Sequence, residues 1–252
     1  MRFPTCNRAG AVWRTGWSAW LLFAGQLAWG SVVMNNTRII YPGQAHESSV
    51  QLNNQDASPS VVQAWVDSGD ENSTPEQAVA PFAVMPAVFR IEAKAGQTVR
   101  LVFDGSPLPQ DRESVYYFNM LQIPSINQAF SGQNQMLVML RNRLKLFYRP
   151  PTIAGRVEQA PSQLGFSVQR QGRGWRLSVD NRSGYFLTLS GGQLISDGKA
   201  HAFKAEMLAP FSRASWPLRG LTQPQAPLLV RFRHINDYGG VSEVESAAVL
   251  AE

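Results

Sequence analysis

No window of this chain keeps a 3.6-residue apolar period through three helical turns. Instead, short runs rich in Val, Ile, Phe, Tyr and Thr recur, each bounded by Gly, Pro, Asn or Asp. Such runs lie at 32–41, 49–52, 61–66, 88–91, 98–103, 115–122, 136–148, 166–169, 174–179, 186–189, 201–207, 214–217 and 228–234. Many short strands with frequent turns predict an all-β fold of sandwich or barrel type. About 100 residues make one sandwich, so a chain of 252 residues needs a boundary near its middle. Tyr148-Arg-Pro-Pro-Thr152 supplies it, because two prolines stop a strand and stiffen the exit. The expected domains are 31–149 and 150–252.

Residues 1–30 read differently. Arg2, Arg8 and Arg14 are their only charges, and an apolar run at 17–29 precedes Ala28-Trp29-Gly30. A basic start, an apolar stretch and a small-x-small site describe a cleavable signal peptide, too short for a comfortable span. Removing three arginines lowers the net charge from +5 to +2, so the high pI does not argue for nucleic acid. Cys6, the single cysteine, leaves with the signal. The mature chain therefore has no disulfide, although an extracytoplasmic compartment would permit one. Cysteine-based zinc sites are excluded, and no metal or other cofactor is expected.

One strand is unusual. Residues 135–149 read Q-M-L-V-M-L-R-N-R-L-K-L-F-Y-R, against a usual strand length of about 5–6 residues. From Asn142 to Lys145 polar and apolar residues alternate, whereas from Met136 to Leu140 both faces are apolar. The first half is either a strand buried on both sides or an edge kept open for another chain. Ordinary proteins blunt such an edge. A protein that lends a strand would keep it and present Met136, Val138 and Leu140 to pockets of its partner.

Enzyme signatures are missing: there is no Gly-x-Ser-x-Gly elbow, His-Glu-x-x-His helix or phosphate loop. No catalytic residue is assigned. His46 sits among loop-like residues, and His234, close to Asn236-Asp237, suits a turn. A secreted immunoglobulin-like adhesion module is the alternative reading. It accommodates the three Asn-x-Ser/Thr sites at Asn35, Asn72 and Asn181, while the lack of a Cys pair argues against antibody-type domains.

Three segments, in order along the chain, carry a resemblance. They are Leu108-Pro-Gln-Asp-Arg-Glu-Ser114 followed by Tyr116-Tyr-Phe-Asn119, Arg143-Leu-Lys-Leu-Phe-Tyr-Arg-Pro150, and Ile235-Asn-Asp-Tyr-Gly-Gly240. Together they resemble the periplasmic chaperones of the chaperone–usher pilus pathway. The resemblance covers essentially the whole mature chain, most strongly its first domain. It implies two immunoglobulin-like β-sandwich domains in an L or boomerang arrangement, in the periplasm. The implied function is ATP-independent capture of strand-deficient pilus subunits by donor-strand complementation, with delivery to an outer-membrane usher. It further implies that Arg38 and Lys145 anchor the subunit's terminal carboxylate and that Met136, Val138 and Leu140 are the lent residues. Glu113, Arg149 and Asp237 would form a charge cluster between the domains. Lys145 has opposite parity to the lent residues, so twist or a bulge is expected between them. The stretch 124–135 matches the shorter of two loop classes. The open edge also suggests self-association of the free protein.

Overall fold

The computed structural model describes residues 32–125, 134 and 136–251. The proposed signal and most of the 124–135 loop lie outside them. Regular structure is β throughout, apart from a 3-10 turn at Ala160–Gln163.

The first half holds β1 (Val32–Met34), β2 (Arg38–Pro42), β3 (Glu47–Asn54), β4 (Ser60–Asp67), β5 (Phe82–Met85), β6 (Val88–Ile91), β7 (Gly96–Phe103), β8 (Ser114–Pro124) and β9 (Leu140–Arg149). They form two sheets, of order β1-β3-β7-β5 and β2-β9-β8-β4-β6. Alternation decides which side chains meet: Val50 and Leu52 of β3 are buried, as are Val99 and Leu101 of β7. Tyr41, Phe82, Phe103 and Tyr148 close one end of this core, with Phe103 and Tyr148 rings 4.9 Å apart and Tyr41 and Tyr148 stacked at 6.1 Å. Each large apolar side chain buried here contributes roughly 1.5–3 kcal/mol.

The second half holds β10 (Gly165–Gln171), β11 (Gly174–Asn181), β12 (Leu187–Ser196), β13 (Lys199–Phe203), β14 (Met207–Leu208), β15 (Ser212–Leu218), β16 (Leu228–Ile235) and β17 (Val241–Leu250). Its own core includes Phe166, Phe203, Trp216, Val230 and Phe232, with Phe203 stacked on Trp216 at 5.4 Å. Parallel pairing of Phe166–Val168 with Ala248–Leu250 joins its strands into one sheet of order β13-β12-β16-β17-β10-β11-β15.

Three expectations are corrected, and the expected twist or bulge is narrowed to twist. The run at 32–41 is two strands in different sheets: β1 pairs with β3, then the chain crosses and β2 pairs in parallel with β9. The strand expected from residue 136 starts at Leu140, whose pairing with Gln122 is the last of the β8–β9 ladder, although β8 itself runs on to Pro124 against β4. Among the described residues, 136–139 have no strand partner. No bulge interrupts β8–β9 between Leu140 and Tyr148, so even and odd residues keep opposite faces throughout. His234 lies inside β16, opposite Ser242, rather than in a turn.

Candidate functional site

The outer edge of β9 is covered over only half its length. Parallel β2 pairs Arg38 with Lys145 through Pro42 with Arg149. Residues 140–144 keep β8 on one side and, among the described residues, have no strand on the other. Before them, Met136, Val138 and Leu140 are 87%, 56% and 46% exposed. The doubly buried reading of this segment is thereby overturned, and an apolar edge next to an unpaired backbone remains.

Where β2 begins to cover β9, two cations stand side by side. Arg38 and Lys145 are cross-strand partners in a parallel ladder, so their side chains share a face. That face points away from the first core, which takes the even residues Leu146 and Tyr148. It meets the second half instead: Phe147 lies 5.6 Å from Phe186, and Arg38 donates through Nη1 to the Ile235 carbonyl at 3.0 Å. Arg38 is only 7% exposed and its Nε has no partner. Among the described residues neither cation belongs to a salt bridge, and the Lys145 ammonium makes no hydrogen bond. Burial lowers the pKa of both; the charge of Arg38 lowers Lys145 further, while Asp237 and Glu113 partly restore Arg38. Two desolvated like charges without an anion are unfavourable alone. A carboxylate placed between them would remove the repulsion and make charge-assisted bonds in a partly dry cleft.

At the end of β9, Glu113, Arg149 and Asp237 meet. Arg149 Nε donates to Glu113 Oε1 at 2.6 Å, and Nη1 and Nη2 take Asp237 bidentately at 2.6 and 3.1 Å. Glu113, 3% exposed, also accepts from the Phe186 N–H at 2.8 Å. Burial raises the Glu113 pKa, and Arg149 offsets part of that rise. Burial opposes the Arg149 cation, but its bond to Asp237 and the two carboxylate charges outweigh it and raise its pKa. The backbone follows the same seam, with Glu113 N–H donating to the Gly184 carbonyl at 2.8 Å.

Gly184 permits that approach, since an added Cβ would sit 2.6 Å from the Asp111 carbonyl oxygen and 2.7 Å from Ile153 Cγ2. Gly184→Ala is therefore expected to cost about 1–3 kcal/mol, as over-packing does. A fall in the thermal midpoint checks it; an unchanged midpoint would mean that the turn has slack.

Sequence reasoning missed a third group. Asp67, Ser73 and Asn119, all buried, meet Arg141 and Arg143 on the odd face of β9. Parity alone could have found the two arginines. Their carboxylate lies 76 residues away for Arg143, a separation with no local signal.

The comparisons agree with one another. Residues 31–154 match the family described as pili and flagellar-assembly chaperone, PapD N-terminal domain. Residues 159–246 match the pili assembly chaperone PapD, C-terminal domain. The probable fimbrial chaperone YadV of Escherichia coli K12 is 38% identical, covering 84% of this chain and 87% of its own. Its crystal structure superposes with a TM-score of 0.72 over 86% of this chain and all of that one. The chaperone protein HifB of Haemophilus influenzae is 37% identical over 90% of this chain and 93% of its own. The Salmonella enterica SafB chaperone, solved in complex with the SafA pilin, gives a TM-score of 0.69 at 26% identity, covering 86% of this chain and 96% of that one.

Proposed function

Because this chain belongs to the pilus-assembly chaperone family, we propose that it captures a strand-deficient pilus subunit along the open half of β9 and passes it to an outer-membrane usher. Chaperoning of pilus subunits is the family's work, and the family is not a class of enzyme. The adhesion-module reading loses its ground accordingly. The chain works in the periplasm after residues 1–30 are removed, and its domains divide after Arg149.

The single observation that carries this reading is a pairing of two features. A strand half without an outer partner lies next to a buried and a half-buried cation that share no anion. The subunit's terminal carboxylate sits between Arg38 and Lys145, and its last residues add to β9 as a strand. The carboxylate fixes where that strand ends, which selects one register; a one-residue slip would expose every inserted side chain. Residues 136–139 join β9 when a partner strand supplies the missing ladder, and Met136, Val138 and Leu140 fill the subunit's core. Burying these three gives roughly 5–9 kcal/mol gross, reduced by ordering and association. In the free protein the same edge pairs with a second copy, which hides it until a subunit arrives.

Co-expression with the pilin encoded beside it in its genome tests the proposal. Wild type should co-purify with that pilin. Val138→Glu should remain folded, since Val138 is exposed and outside any strand, yet capture should fall at least about tenfold, a charge having replaced an apolar insertion worth about 1.5–3 kcal/mol. If Val138→Glu unfolds the free protein, the segment belongs to the protein's own core and the proposal is wrong.

A further inference from the structure

From residue 145 onward β9 is secured twice. Its outer edge carries β2, and Leu146, Phe147 and Tyr148 are buried. At 140–144 neither support exists: there is no outer strand, and no residue of that stretch is buried. An edge of this kind frays on its own.

A different device occupies that stretch. Asp67, at the end of β4 and 1% exposed, accepts from Arg143 Nη2 at 2.7 Å and Nε at 3.3 Å. It also accepts from Asn119 Nδ2 at 2.6 Å, Ser73 Oγ at 3.1 Å and the Gly69 N–H at 2.7 Å. Asn119 and Ser73 in turn hold Arg141: its Nη2 donates to Asn119 Oδ1 at 2.8 Å and to Ser73 Oγ at 3.3 Å. The Arg141 Nη1 reaches the Glu71 carbonyl at 3.0 Å. Both guanidinium groups also lie over rings, Arg143 on Tyr117 at 3.7 Å and Arg141 on Trp65 at 4.9 Å. One buried carboxylate thus organises both odd side chains of the half-strand that lacks other support.

We infer that Asp67 is a positioning residue for subunit capture: it clamps Arg143 directly, and Arg141 through Asn119 and Ser73, so that the open half of β9 is extended before the partner strand arrives. The inference rests on the capture reading above. A preformed edge avoids the entropic cost of ordering that backbone during binding. The clamp acts on the approach rather than on the finished complex, because a paired subunit strand then holds β9 by its own ladder.

Asp67→Asn tests this, as does Arg143→Met, which keeps the contact with Tyr117 but removes the charge-assisted bonds. Two quantities are read in the mature chain: hydrogen exchange of the free protein, and rates of association with and dissociation from the co-expressed pilin. Both variants should speed exchange at 140–144 at least tenfold while β3 and β7 keep wild-type protection. Association should slow at least severalfold, with dissociation within twofold of wild type. Uniformly faster exchange across the first half in both variants would reduce Asp67 to a general structural role and overturn the inference. Unchanged exchange at 140–144, or unchanged association with faster exchange, would overturn it as well. Should wild type itself fail to bind the pilin, the capture reading falls separately, and exchange at 140–144 still decides whether the clamp exists.

Discussion

Replacing Lys145 by methionine should leave the free protein at least as stable as wild type at neutral pH and remove most of its hold on a pilin. The two effects have one origin. In the free protein Lys145 is half-buried beside Arg38, and both desolvation and the Arg38 charge lower its pKa. Removing that cation relieves both penalties. Under the proposed capture, the same cation would face the subunit's terminal carboxylate. Truncating one partner of a buried charge pair costs about 2–5 kcal/mol, or roughly thirty- to several thousandfold in affinity. Arg38→Met should behave likewise, with some loss of stability from its bond to the Ile235 carbonyl. Thermal melts and pilin titrations check both halves, and a Lys145→Met protein that binds like wild type would remove the anchor assignment.

The pH dependence of the same site has a fixed sign. The unfolded chain has the ordinary lysine pKa and the folded free protein a lower one. Between those two values the folded state binds fewer protons, so free-protein stability rises with pH there. The advantage of Lys145→Met is therefore present at neutral pH and shrinks in alkali. Binding follows the opposite course. A carboxylate partner raises the Lys145 pKa, so affinity is flat around neutral pH and begins to fall as pH rises through the lowered value. Onset should come below the ordinary lysine range, and Lys145→Arg should move it upward.

The legible parts of this molecule were those written in local alternation. The run at 88–91 coincides with β6, and those at 61–66 and 98–103 fall inside β4 and β7. Strand β17 escaped because its inward positions include only Val244 and Ala248 as apolar residues, with Ser242 and Ser246 on the same face, and Val249 and Leu250 at its end are exposed. Its place is set by β10 and β16, which the local sequence does not reveal. The split of 32–41 into β1 and β2 had a local mark, Asn35-Asn36, of the kind that bounds strands elsewhere in this chain. The crossing itself is not local: it exists because β3 and β9 lie in different sheets. At the site, the pairing of Arg38 with Lys145 follows from a parallel register across 107 residues, which only recognition of the motifs made visible. The Asp67 clamp had no such motif and came from geometry alone.

Arg149→Met should produce the largest loss of stability among these substitutions, about 3–5 kcal/mol, the usual consequence of removing one member of a buried charge group. Arg149 is the only cation bonded to Glu113 among the described residues, and it takes both oxygens of Asp237. Without it Glu113 is a buried carboxylate close to a second carboxylate, with the Phe186 N–H as its remaining donor. Burial already raises the Glu113 pKa with Arg149 in place, and removing the cation raises it further. A carboxyl whose folded pKa lies above its unfolded one contributes stability that is full below the unfolded value and lost as pH rises through the folded value. Arg149→Met should therefore recover much of its deficit on acidification toward the ordinary glutamate range. The double variant Glu113→Gln/Arg149→Met should be more stable at neutral pH than Arg149→Met alone, because the stranded charge is gone. Urea unfolding followed by tryptophan fluorescence at two pH values measures all of these. If the double variant were no better than the single one, the loss would lie in the contacts of Arg149 with Asp237 and with the Tyr185 ring, which it overlies at 5.4 Å. The carboxylate that fixes the seam would then be Asp237 rather than Glu113.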